Sequence, residues 1–172
     1  LLARLRAADY AHDSWMFWGE ASVGKSGVAV GYAWEFLRTV GETVCFRAVP
    51  DLLDELKATF DRNATAPAWD HDHENQPTER DVLERLKTAG LLVLDDIGVR
   101  KPSEGMFHLL FDILELRKSV PTIITSNKSL DELGEIYTDG RIYSRLAAGT
   151  VMMFAGKDRR LRDDGSVDVY QI

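Results

Sequence analysis

The chain has 172 residues, 45% of them hydrophobic and 28% charged, and a formal net charge of −7. That length holds one well-buried core and excludes two full domains. The absence of an eighteen-residue apolar stretch excludes a spanning helix, and the acidic balance excludes a wholly basic nucleic-acid surface.

The opening Leu1-Leu2-Ala3-Arg4-Leu5-Arg6 has neither the apolar core nor the small-residue cleavage site of a secretory signal. It also lacks Met, so the chain reads as part of something longer. Trp15-Met16-Phe17-Trp18 is a candidate strand, followed by a Gly-rich turn and a helix from about Lys25 to Arg38. Val44-Cys45-Phe46-Arg47 reads as a second, buried strand. Cys45 is the single cysteine, so no internal disulfide exists; it reads as a small core hydrophobe in a reducing, cytoplasmic setting. Pro50 opens a helix through Leu52, Leu53, Leu56 and Phe60. Residues 63–77 have no period and two prolines, and read as an exposed, flexible insertion loop. Thr78 with Asp81 resembles a capping box for a short helix closed by Gly90.

Leu91-Leu92-Val93-Leu94 is a continuous apolar run, as in a strand buried on both faces of a parallel sheet. Ser103 is the expected cap of a helix that Pro121 stops. The strand Thr122-Ile123-Ile124-Thr125 follows, then a second capping box at Ser129 and Glu132, a helix near 141–148, and a last strand, Val151-Met152-Met153-Phe154. Strands alternating with helices give a mostly parallel α/β sheet. Trp15, Trp18 and Trp34 read as core residues.

Gly19-Glu20-Ala21-Ser22-Val23-Gly24-Lys25-Ser26 matches G-x-x-x-x-G-K-[ST] in full, between a strand and a helix as that motif requires. Glycines let the backbone curl its N–H groups around phosphate oxygens, and the next helix directs its positive end at the same anion. Lys25 adds charge near the β- and γ-phosphates, and the Ser26 hydroxyl can ligate Mg²⁺. The loop is expected to be exposed. The nucleotide-binding set is Gly19, Glu20, Ala21, Ser22, Val23, Gly24, Lys25, Ser26 and Gly27. Within it Glu20 sets a carboxylate near phosphate, and Gly27 weakens the first helical turn by roughly 0.5–1 kcal/mol relative to Ala.

Asp95 and Asp96 end the apolar run like a Walker B pair, at the strand end where parallel sheets gather their chemistry. Asp95 is the expected Mg²⁺ holder and Asp96 the general base that polarises the attacking water. Asn127, after the Thr122–Thr125 strand, is a polar sensor for that water or for the γ-phosphate. Asp95-Asp96-Ile97-Gly98 also fits the D-x-x-G of GTPases, and Asn127-Lys128 begins like their N-K-x-D. Leu130 stands where the guanine-pairing carboxylate is needed, and Asp131 is one place late. His71 and His73 are poorly spaced for a metal, and read as part of a solvated acidic loop. Lys157, Arg159, Arg160 and Arg162 form a basic cluster that can meet DNA phosphates.

Gly19 to Ser26, Val49-Pro50-Asp51-Leu52-Leu53, Leu92 to Gly98, Pro121 to Asn127 and Arg141-Ile142-Tyr143-Ser144-Arg145-Leu146 follow one another in that order. The sequence resembles, from about Trp15 to Arg160, the AAA+ domain of bacterial replicative helicase loaders of the DnaC/DnaI type and of the related transposition helper IstB. The resemblance implies a single P-loop NTPase domain over 1–172, a three-layer sandwich on a mostly parallel five-stranded sheet with no separate helical lid. It implies ATP and Mg²⁺ as cofactors and assembly into an AAA+ oligomer. Arg145 matches the arginine finger that reaches a neighbouring subunit's ATP at the subunit edge. Arg160, or Arg159 beside it, matches a sensor arginine near the γ-phosphate. The implied activity is a slow ATPase, stimulated by oligomer or DNA, that loads a replicative helicase onto single-stranded DNA. Loaders grip the helicase through an N-terminal segment that this sequence does not show. The alternatives are an IstB-like transposition helper and a nucleotide-gated binding module with negligible turnover.

Overall fold

A computed structural model describes residues 13–65, 78–101, 103–137 and 140–156, with the side chains of 60–65 excepted. In chain order its elements are β1 (Trp15–Gly19), α1 (Lys25–Val40), β2 (Val44–Ala48), α2 (Val49–Thr65), α3 (Glu79–Thr88) and β3 (Leu91–Ile97). There follow α4 (Glu104–Leu116), β4 (Thr122–Ser126), α5 (Leu130–Ile136), α6 (Gly140–Leu146) and β5 (Thr150–Phe154). The five strands form one sheet in the order β2-β3-β4-β1-β5, and every pairing is parallel.

Side chains alternate across a strand, so each strand feeds two apolar layers. Trp15, Phe17, Leu91, Val93 and Ile123 pack on Ala29, Tyr32, Ala33 and Phe36 of α1. Met16, Leu92, Leu94 and Ile124 face the other way, onto α2 to α6, through Leu52, Leu86, Leu110, Ile113, Leu133 and Ile142 among others. This is the expected three-layer sandwich. Leu91 to Leu94 have no exposed surface, because β3 has a strand on each side and helices on both faces.

Several local expectations are corrected. β2 is an edge strand, so Phe46 is exposed and Cys45 only half-buried; the apolar run gives no sign of edge position. Burial still pushes the Cys45 thiol up from its ordinary value. The helix begun at Pro50 continues to Thr65, so residues 63–65 are helix; the rest of the expected loop, with His71 and His73, lies outside the described residues. Gly90 caps nothing: α3 ends at Thr88 with Ala89 as its C-cap. Ser103 occupies the N-cap of α4 without a side-chain hydrogen bond. Pro121 does not stop that helix, which ends at Leu116, four residues before the turn at Val120 closes.

Trp34 is no core residue. It is 69% exposed and, with Val30 and Leu37, forms a second apolar stripe on the outer side of α1. Periodicity marks α1 as helix, but with apolar residues on both sides it cannot say which side meets the sheet. Both expected capping boxes are present, at Thr78/Asp81 and at Ser129/Glu132.

Candidate functional site

The carboxyl ends of the parallel strands gather the expected residues. Gly19 ends β1, and a side-chain carbon there would collide with the carbonyl oxygen of Phe154 in β5. The chain then turns through Ser22, at φ 63, to Gly24 at φ 102, the left-handed N-cap of α1. Gly24 offers no side chain, and the first turn of α1 holds no acidic residue. No side chain caps the backbone N–H groups at this helix start.

The loop is less open than expected. Glu20 and Ala21 are exposed, but Gly19 and Val23 are buried and Lys25 is only 4% exposed. Burial of an ammonium requires partners. The Lys25 Nζ donates to the carbonyls of Gly19 at 2.9 Å and Glu20 at 2.6 Å, and to Asn127 Oδ1 at 2.7 Å. The sensor position and the loop are therefore already in contact, and Lys25 is held ready at the mouth of the curl. Leu130, which departs from the GTPase pattern, is half-buried against the core at the start of α5.

Ser26, in the first turn of α1, donates to Asp95 Oδ1 at 2.9 Å. Asp95 lies where β3 departs from regular pairing. Leu94 pairs with Ile124 and Ile97 with Ser126, so β3 spends one residue more than β4 over the same span. Asp96, inside that bulge, has φ 61, a left-handed conformation seldom taken by a non-glycine residue. It lines a cleft with Pro50 and Leu53 of α2 and Arg100. Thr125 bridges the pair: its hydroxyl donates to Asp95 Oδ1 at 2.5 Å and accepts the Asp96 N–H at 3.0 Å. Sequence reasoning missed Thr125, since nothing in a strand sequence reveals which neighbour a hydroxyl will meet. Ser126 adds a bond to the Ile97 carbonyl at 2.8 Å, tying the two strand ends together.

Arg145 lies elsewhere. With Ser14, Arg117, Lys118, Thr122 and Thr150 it lines a cavity of about 340 Å³ at the amino ends of β1, β4 and β5. Its guanidinium pairs with Glu115 Oε2, from Nε at 2.6 Å and from Nη2 at 2.5 Å. Arg145 and Lys118 together hold the Glu115 carboxyl below its ordinary value. Arg117 beside them is structural: it bonds the carbonyls of Lys87 at 3.1 Å and Pro121 at 2.7 Å and also that of Ala89, and burial lowers its pKa to about 10. Arg159, Arg160 and the basic cluster at 157–162 lie outside the described residues.

These residues suit a metal-bound nucleotide. Ser26 and Asp95 offer oxygen only, the donor type a hard divalent cation takes. The uncapped start of α1 and the buried Lys25 suit an anion. A cleft of about 400 Å³ beside the loop, lined by Trp18, Val23, Met153 and Phe154, is apolar enough for a flat base.

The family model of the IstB-like ATP binding protein matches residues 1–147. The chain belongs to that family. It is accordingly an ATP-binding protein. Among curated relatives, the replicative helicase loader DnaC of Escherichia coli (strain K12) is 27% identical over 138 residues, 79% of this chain and 51% of the loader. A protein of insertion sequence IS5376 from Geobacillus stearothermophilus, described as ATP-binding, is 26% identical over 154 residues, 86% of this chain and 55% of that one. The chain thus spans about half the length of the curated relatives it matches. A crystal structure of the DnaC helicase loader superposes with a TM-score of 0.69 at 20% identity, covering 90% of this chain and 85% of that one. The structure of DnaI gives 0.62 at 18% identity, covering 92% and 80%. The fold is that of AAA+ P-loop domains. Among the described residues no helix is long and apolar enough to cross a membrane.

Proposed function

We propose that this chain is the ATPase module of a loader that places a replicative helicase on single-stranded DNA. The contact of Ser26 with Asp95 is the observation that carries the ATPase reading: it joins the phosphate loop to the acidic strand end in the folded protein. The likeness to DnaC supports the choice of partner.

In this reading the loop amides from Gly19 to Gly27 and Lys25 bind the phosphates, and Ser26 and Asp95 hold Mg²⁺. A cation held there would neutralise phosphate charge. Asp96 takes the proton from the attacking water, and Asn127, released from Lys25, orients that water. Arg145 acts on a neighbouring subunit's ATP. What supports this is distance: it lines the amino ends of the strands, roughly 17 Å from the carboxyl ends where its own chain's loop sits. That is beyond an arginine side chain's reach. Its bond to Glu115 is partly exposed and screened by solvent and salt, so a phosphate cluster displaces it readily.

Turnover per subunit then rises more steeply than linearly with concentration, or rises when DNA aligns the subunits. Arg145→Ala binds ATP normally and loses that rise, about 10³–10⁵ in rate. Mixing Arg145→Ala with Lys25→Ala restores part of it, because the first subunit keeps its ATP site and the second still offers its arginine. Failure to restore activity in demonstrably mixed assemblies removes Arg145 from this role and favours a nucleotide-gated binding module.

The family match and the insertion-sequence relative favour a second reading, a transposition helper that recruits a transposase to duplex DNA. Co-purification of the full gene product decides between them: a hexameric helicase supports the loader, a transposase the helper.

A further inference from the structure

Thr125 lies inside β4 with no exposed surface. A hydroxyl so placed must be bonded to be tolerated. Here it is used twice, on consecutive residues of the neighbouring strand. It donates to Asp95 Oδ1 at 2.5 Å and accepts the backbone N–H of Asp96 at 3.0 Å. Both partners belong to the β3 bulge, where the extra residue removes a backbone N–H from the regular ladder. The Thr125 oxygen takes that N–H in place of a strand carbonyl. In doing so it holds Asp96 in its left-handed conformation at φ 61.

Ser26, at the start of α1, donates to the same oxygen, Asp95 Oδ1, at 2.9 Å. The two hydroxyls are not equivalent. Ser26 is the one at the start of α1, where its oxygen would ligate a bound metal. Thr125 is buried behind the strand end. We propose that Thr125 is a positioning residue for the metal of the nucleotide site: it fixes the rotation of the Asp95 carboxylate and the backbone of Asp96 with one hydroxyl. The inference rests on the reading of Ser26 and Asp95 as the metal-holding pair and extends it to a residue that never touches metal or phosphate.

The test is binding of a fluorescent ATP analogue to the purified protein while Mg²⁺ is titrated. Thr125→Val keeps the shape and removes the hydroxyl. It raises the Mg²⁺ midpoint about 10–100-fold, the usual effect of losing an outer-shell partner, and leaves metal-free nucleotide affinity unchanged. Thr125→Ser keeps the hydroxyl and stays close to wild type. Should valine pack badly, Thr125→Ala and Thr125→Ser make the same comparison, since both lack the methyl group and differ only in the hydroxyl. A wild-type midpoint in Thr125→Val or Thr125→Ala, while Asp95→Asn shifts it, overturns the role of Thr125 alone. Wild-type binding that does not depend on Mg²⁺ overturns the metal reading, and this inference with it. Equal losses of metal-free binding in Thr125→Val and Thr125→Ala mark the hydroxyl as structural only and likewise overturn the proposal.

Discussion

Three helix starts in this molecule face the same shortage and meet it in opposite ways. Each helix leaves its first backbone N–H groups without partners inside the helix. At α3 and α5 the chain supplies them itself: the Thr78 and Ser129 hydroxyls accept from Asp81 and Glu132 N–H at 3.2 Å each, and those carboxylates accept from the N-cap N–H groups in return. At α1 the N-cap is Gly24, with no side-chain bond and no acid in the first turn. The α3 and α5 starts are closed by their own side chains. The α1 start leaves its donors without a side-chain cap and sets a cation, Lys25, in its first turn.

The contrast is broken most severely at Lys25. Lys25→Ala abolishes ATP-induced stabilisation, which for wild type is about 2.7 kcal/mol at a ligand concentration 100 times Kd. Since Lys25 is buried, the ligand-free protein also loses stability, by about 1–3 kcal/mol, as the Gly19 carbonyl is left without this donor. Melting with and without ATP measures both effects, and an undiminished ATP shift in the variant ends the assignment. Thr78→Ala or Ser129→Ala does the reverse. Each costs about 1 kcal/mol in denaturant unfolding and leaves nucleotide affinity alone. A loss of ATP binding in either would show that the capped and uncapped starts are not separate devices.

The smallest effect is acid sensitivity. Hydrogen bonds from Thr78 and Ser129 hold the Asp81 and Glu132 carboxyls below their ordinary values. A lowered pKa means a contribution present above the ordinary carboxylate range and lost as pH falls through the folded value. The α3 and α5 starts therefore loosen as pH falls through those lowered values, and the start of α1, with no capping acid, does not. Amide exchange followed from pH 6 to pH 3, with correction for intrinsic rates, reads this directly; earlier loosening of α1 would contradict it.

Much of this was legible in the sequence, for reasons that differ by residue. The phosphate loop and the β3 run carry strong local signals, a fixed motif and an unbroken apolar stretch, and both lie where expected. The capping boxes are local too, and both formed. What depends on neighbours in space was not legible. The edge position of β2 exposes Phe46, and the stripe at Val30, Trp34 and Leu37 faces away from the sheet, because helical period gives spacing but not orientation. The hydroxyl of Thr125 reads as an ordinary strand residue until the one-residue offset between β3 and β4 brings Asp95 and Asp96 to it. The tie between Arg145 and Glu115 spans two helices and has no trace in either alone.

The close passage of Phe154 over Gly19 carries a consequence for how the chain comes into being. Among the described residues β1 is the first strand in the chain, yet its two partners in the sheet, β4 and β5, are the last. The curl after Gly19 has the Phe154 carbonyl for a wall, so a nascent chain halted before Phe154 carries the whole phosphate motif without the surface that shapes it. Contacts of such long sequence separation form late. The loop therefore takes its shape only once β5 has emerged and zipped onto β1, however early its own residues are made.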